Sequence, residues 1–331
     1  MDKKLYYRGR IATGWYNFTE SLAYVALHRP TPAGCEYQRI PYGSEKQQYF
    51  NLCTRRDLQK EKKPVLIYIH GGGWISGITE MRDTYVGEWA KRGFFTASIS
   101  YTYAPKKVYP AQLREIFAAI DRILSLEETY GLDPARVVLA GESAGGYFIM
   151  QVAALAQDAA ARERLGIEFK NADRFRVRAL VSHCGCFDLK NLIDPDKPQS
   201  KFPDIRMMVC AFLGLPMAEA KAFLDTPAGA DSSPRLTAGF PPMFVVSAAR
   251  DWLRFEAYDL IASLERLGVP HASFEGTGLL GNHAWTIATI VQQGRDCFDD
   301  AFSFVKKHLE DAPAVPAAAT ASTESERSVA K

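Results

Sequence analysis

From Pro64 onward, short and continuously apolar runs alternate with segments whose apolar residues recur every three or four positions. Val65–Ile69, Phe94–Ile99, Val137–Ala140, Val177–Ser182 and Met243–Ser247 are too short for helices and apolar at nearly every position, which predicts strands buried on both faces. Between them the period changes. A polar stretch from about Glu80 to Lys91 is compatible with a helix, and Leu113, Ile116, Phe117, Ile120, Ile123 and Leu124 fall on one helical face. Asp133-Pro134 is expected to break the chain before the third strand, and Ala144 to Ala161 to form one Ala-rich helix. Leu253, Ala257, Leu260, Ile261, Leu264 and Leu267 mark another, stopped by Gly268 in the manner of a glycine C-cap. Strand and helix in alternation predict a mostly parallel sheet covered on both faces.

Two regions break the alternation. Between about 187 and 239 it gives way to Pro195, Pro198, Pro203, Pro216, Pro227 and Pro234 around a small apolar cluster, Met207, Met208, Phe212 and Leu213. An insertion of that length is expected to form a lid or a pocket wall. Residues 311–331 are mostly Ala, Pro, Ser, Thr and Glu, too poor in large apolar groups to fold. The expected organisation is therefore an N-terminal cap segment (1–45), a main domain (46–310) carrying the insertion, and a disordered tail (311–331). In the first of these, Ile11, Trp15, Phe18, Leu22 and Val25 recur at helical spacing.

Charge narrows the partners. Lys+Arg 40 against Asp+Glu 38 leaves a net +2, which argues against a nucleic-acid binder built on a basic stripe. Six cysteines in 331 residues are too few for a disulfide scaffold, and no apolar run reaches the length of a membrane span. A cytoplasmic protein with reduced thiols is expected, with membrane contact disfavoured and a homodimer compatible with the composition.

Chemistry concentrates at Gly141-Glu142-Ser143-Ala144-Gly145-Gly146, a G-x-S-x-G motif between a predicted strand and a predicted helix. The sharp strand-to-helix turn lifts the serine hydroxyl clear of the sheet, and a side chain at either glycine would strike neighbouring backbone. His70-Gly71-Gly72-Gly73-Trp74 follows another strand directly. Its glycines let backbone N–H groups approach a substrate, as an oxyanion hole requires. The N–H of Ala144 would add a further donor. The run lacks the ending of a phosphate-binding P-loop.

A serine nucleophile needs a base, and the base needs an orienting carboxylate. His283 lies in a loop after a late strand, where parallel sheets carry function. His271 starts a strand-like run, and His308 belongs to the last amphipathic helix (Phe298, Phe302, Val305, Leu309). Asp251 follows the strand Met243–Ser247 and is favoured as the acid over Asp188, which also follows a strand; the bland role for Asp251 is a helix N-cap. Glu256 and Asp259 are expected on a solvent-facing side of a helix. His183-Cys184-Gly185-Cys186 has no second pair at zinc spacing, so buried strand-end thiols are expected there and neither metal nor cofactor.

With these residues together, the chain resembles the hormone-sensitive-lipase-like esterases of the α/β-hydrolase superfamily. The likeness rests on His70 to Trp74, Tyr101-Thr102-Tyr103-Ala104-Pro105 with Tyr109-Pro110-Ala111, Gly141 to Gly146, Asp251-Trp252-Leu253 and His283. It covers about Lys63 to Leu309. The chain departs from the family's usual pattern at Lys106-Lys107, where an acidic residue is common, and at Trp252, where proline is common. The resemblance implies an α/β-hydrolase fold with a small helical cap, a Ser143–Asp251–His283 triad, and Gly72, Gly73 and Ala144 as oxyanion donors. Trp74, Met207, Met208 and Phe212 are the expected pocket residues. The expected activity is hydrolysis of small-molecule esters with short to medium acyl chains through an acyl-enzyme. The alternatives are an amidase similar to kynurenine formamidase, or a hydrolase-fold receptor that turns nothing over.

Overall fold

The computed structural model describes residues 3–27, 31–58, 61–230, 232, 235–278 and 281–310; the tail expected at 311–331 lies outside them. Helix α1 (Lys3–Leu27) precedes β1 (Cys35–Pro41) and β2 (Tyr49–Arg55). Strand β3 (Lys63–Ile69), α2 (Asp83–Lys91) and β4 (Phe95–Ile99) follow. Next come α3 (Ala111–Leu124), α4 (Glu127–Tyr130), β5 (Leu132–Glu142), α5 (Ala144–Gln157), α6 (Ala159–Leu165) and β6 (Val177–His183). The insertion holds α7 (Leu189–Ile193), α8 (Ile205–Leu213), α9 (Met217–Leu224) and α10 (Pro227–Ala230). Strand β7 (Met243–Ala248), α11 (Arg254–Leu267), β8 (His271–Gly276) and α12 (Gln292–Glu310) complete the described residues.

The strands form one sheet in the order β1-β2-β4-β3-β5-β6-β7-β8. The pairs among β3 to β8 are parallel; only β1 with β2 and β2 with β4 run antiparallel. Strand β3 shows why the central strands are apolar at nearly every position. Val65, Ile67 and Ile69 enter a core with α3 and α5, whereas Leu66 and Tyr68 enter a second core with Tyr85 and Trp89 of α2 and Phe298 of α12. Successive side chains point to opposite faces, and both faces are dry.

Three sequence expectations change. The expected helix 144–161 is two helices, because Asp158 turns out of helical geometry and its carboxylate accepts the Ala161 N–H at 2.8 Å, capping α6. The Asp133-Pro134 break lies inside β5: Leu132 already pairs with Lys63, and a register shift carries the proline past the ladder before Val137 pairs with Val65. Glu256 is buried, not solvent-facing. It accepts the Phe187 and Asp188 N–H groups at 2.8 Å each and the Gln199 amide at 2.9 Å. Burial pushes its carboxyl up to about 7 while those donors oppose the shift. This side chain ties the start of the insertion to α11.

Candidate active site

Ser143 closes β5 in a conformation L-residues avoid, with φ 54° and ψ −120°. A non-glycine residue so placed stores about 1–3 kcal/mol, tolerable only where its surroundings over-determine it. Here its N–H donates to the His183 carbonyl at 2.9 Å and its own carbonyl accepts the Cys186 N–H at 3.1 Å. The flanking glycines are sterically required. A Cβ at Gly141 would lie 2.6 Å from the Ile69 carbonyl oxygen, and one at Gly145 would overlap that same atom.

Residues 72–74 all have positive φ. The Gly72 carbonyl accepts the Ile75 and Ser76 amides at 3.1 and 3.0 Å, so the loop turns back on itself. Gly71 packs directly against Ser143, and a side chain at Gly73 would overlap the Met208 sulfur. His70 does not join this chemistry. It is buried, stacked on Tyr101 at 4.5 Å, and burial lowers its pKa to about 4.

The sheet brings the other two candidates to the same edge. Ser143, Asp251 and His283 follow the C-terminal ends of β5, β7 and β8, three strands within one run of parallel neighbours. Asp251 Oδ2 lies 2.6 Å from His283 Nδ1. Its other oxygen accepts the Leu253 N–H at 3.0 Å in the turn before α11; the N-cap of that helix is Leu253, so Asp251 is not the cap. Asp188 is an N-cap instead, accepting the Lys190 N–H at 2.8 Å. His271 sits at the opposite, N-terminal end of β8, its ring bonded to the Val269 carbonyl at 3.0 Å.

Around this pair, the Phe202 ring lies 4.8 Å from the His283 ring. The Cys184 sulfur, an Asp251 oxygen and a His283 ring nitrogen are within 4.8 Å of one another. Burial, then the Asp251 charge, push that thiol well above its ordinary value, so it stays protonated. His183 bonds Tyr85 at 2.9 Å and Thr286 at 3.0 Å; burial lowers its pKa to about 4. The expected pocket residues separate. Trp74 and Phe212 stack at 5.0 Å with no exposed surface, and Met208 lies against Gly73. Met207 lines a surface groove of about 490 Å³ with Arg8, Phe202 and Met217. Adjacent residues of a helix diverge by about 100°, so both methionines cannot face the glycine loop.

One residue beside the serine escaped the sequence reading. Glu142 is buried and accepts from Arg82 Nε at 2.6 Å, the Gly71 N–H at 2.8 Å and the Tyr68 hydroxyl. It therefore ties the serine turn to the glycine loop. Burial alone would raise its carboxyl; Arg82, Tyr68 and Gly71 outweigh this and hold it below its ordinary 4.5. Its stabilising contribution is thus present above pH 4.5 and lost as pH falls through the lowered value. Glu142→Gln removes the carboxylate that the buried Arg82 guanidinium pairs with, a loss of about 3–5 kcal/mol. Urea unfolding at neutral pH is expected to show it, with Glu142→Gln/Arg82→Met recovering part. Equal stability of wild type and Glu142→Gln would remove this role.

A family profile described as alpha/beta hydrolase fold matches residues 66–285. The chain belongs to that family. Its relatives include the esterase LipC of Mycobacterium tuberculosis, 27% identical over 217 residues that make up 65% of this chain and 51% of LipC. Mouse hormone-sensitive lipase is 30% identical over 139 residues, 42% of this chain and 18% of the lipase. The matched part of the chain thus spans about half the length of LipC and much less of the lipase. Among solved structures, esterase B from Lactobacillus rhamnosis superposes with a TM-score of 0.74 at 18% identity, over 92% of this chain and 96% of that one. That likeness concerns the fold. The hormone-sensitive-lipase kinship expected from the motifs and the mostly parallel α/β-hydrolase sheet both hold.

Proposed function

We propose that this protein is a serine carboxylesterase, hydrolysing small-molecule esters with short acyl chains through an acyl-enzyme. The observation that carries the reading is the 2.6 Å contact between Asp251 and His283 on the sheet edge that also bears Ser143 on its positive-φ turn. In this reading Ser143 Oγ attacks the ester carbonyl carbon as its proton passes to His283 Nε2. The Gly72, Gly73 and Ala144 N–H groups receive the oxyanion, each donor contributing about 10²–10³ in turnover. Asp251 holds the imidazole in the tautomer with Nδ1–H and stabilises the imidazolium. The C–O bond to the alcohol then breaks, with His283 returning the proton to the leaving oxygen. Water, deprotonated by His283, repeats the attack on the acyl carbon and frees Ser143.

Pocket depth argues for short chains. Each buried methylene contributes about 0.8 kcal/mol only while there is room for it. Met208 already fills the space over Gly73, and Trp74 and Phe212 behind it are packed against one another. The expected result with p-nitrophenyl esters from acetate to laurate is a kcat/KM maximum within about two to six acyl carbons. A value rising steadily through laurate contradicts the shallow pocket. N-formylkynurenine, assayed beside the esters, separates the chemistries: faster turnover of that amide than of any ester would make the protein an amidase.

A further inference from the structure

We propose that the outward face of α1 is a docking surface for anionic lipid bilayers. Tyr7, Ile11, Trp15 and Phe18 follow one another at intervals of four, four and three, so they form a single stripe. All four are exposed, by 65%, 74%, 65% and 57%. An ordinary surface carries large apolar residues singly; four in line on one helix mark a contact face.

The stripe points outward because the opposite face of α1 is already committed. Gly9 packs against Pro105 and Ala211, and Ala12 and Tyr16 pack on the main core. The Tyr16 hydroxyl donates to Asp204 at 2.9 Å, and the Asn17 side-chain oxygen accepts the Gly77 N–H at 3.1 Å. The helix is therefore a docked element of the fold. Hydrophobic spacing in the sequence predicts such a helix without telling which side is covered, and the uncovered side is the more apolar one.

Charge selects the occupant. Projected at about 100° per residue, Arg8 lies on one side of the stripe, and Lys3 and Arg10 on the other. All three are exposed, and the only acidic residue in the helix sequence is Glu20. Aromatic and aliphatic groups between basic borders match the boundary between lipid phosphates and acyl chains. A second copy of the chain fits worse. A two-fold contact through this stripe would set each basic border near its own mate. Among the described residues no single helix is long and apolar enough to cross a membrane, so the attachment lies along the surface. Through Tyr16 and Asn17, the attached helix would hold the glycine-loop side of the molecule close to the lipid.

The test uses the full chain and sedimentation with vesicles of phosphatidylcholine containing about one-third phosphatidylserine, compared with phosphatidylcholine alone. Binding is expected on the anionic vesicles, weakening as salt rises. Both Ile11→Asp/Trp15→Asp and Lys3→Glu/Arg10→Glu are expected to lose at least about tenfold in affinity. Ile11→Asp/Trp15→Asp should keep wild-type circular dichroism and wild-type turnover of a soluble ester, since neither residue touches the candidate active site. Wild-type protein that stays unbound, or equal binding by Ile11→Asp/Trp15→Asp, overturns the proposal. Concentration-dependent dimerisation abolished by that same variant, with vesicles left unbound, overturns it in favour of a second copy.

Discussion

Ser143→Ala is expected to lower kcat for ester hydrolysis by on the order of 10⁴–10⁶ and to abolish covalent labelling by a fluorophosphonate, while the fold survives. The magnitude follows from the role assigned to the hydroxyl. In the proposed mechanism it forms the acyl bond, so no neighbouring group would replace it, and the residual rate would be what oxyanion donors and substrate binding supply alone. Survival of the fold follows from the backbone. Both ties that hold the turn, to the His183 carbonyl and the Cys186 N–H, use main-chain atoms that alanine keeps. Alanine also bears the same positive φ at a cost close to that of serine. Denaturant midpoints should therefore differ little. An alanine variant that labels at the wild-type level would mean another residue is the nucleophile.

What the sequence made legible tracks how local each cause is. The central strands could be placed because burial on both faces leaves few polar positions, and the glycines of the serine motif because one crowded carbonyl, that of Ile69, excludes any side chain there. Ser143, Asp251 and His283 each follow a strand, and topology alone brings those strand ends to one edge. The failures are cases where a distant partner decides. Glu256 looks like any charged residue on a helix until Phe187, Asp188 and Gln199 arrive from the insertion to bury it. Glu142 gave no signal of its own because its counter-ion, Arg82, lies 60 residues away in a turn before α2. Met207 and Met208 could not be separated by composition; helix phase divides them. The break at Asp158 was readable in principle, since an aspartate that caps its own N3 amide is a local signature, but the alanines on both sides masked it.

Replacing the acid and the base should distinguish the members of that edge from their rivals. Asp251→Asn is expected to lower kcat by about 10⁴. The amide no longer favours the imidazole tautomer with Nδ1–H, and it cannot stabilise the imidazolium that the proposed mechanism forms as Ser143 attacks. Part of the asparagine's structural duty persists, because its side-chain oxygen still accepts the Leu253 N–H that Asp251 Oδ1 now holds. The loss should therefore appear in turnover and hardly at all in thermal unfolding. His283→Ala removes the proposed proton acceptor and is expected to cost at least as much. The controls carry the argument. His271→Ala, at the far end of β8, and Asp188→Ala, whose carboxylate caps α7, are each expected to leave turnover within about twofold. The Asp188 variant should lose only the ~1 kcal/mol of a helix cap. A reversed pattern, with Asp188 or His271 silencing the enzyme and Asp251 or His283 dispensable, would move the reaction to another part of the sheet edge. Because all four substitutions lie on strand ends or the loops beside them, a general weakening of the fold predicts comparable losses, and only a chemical role predicts that they divide two and two.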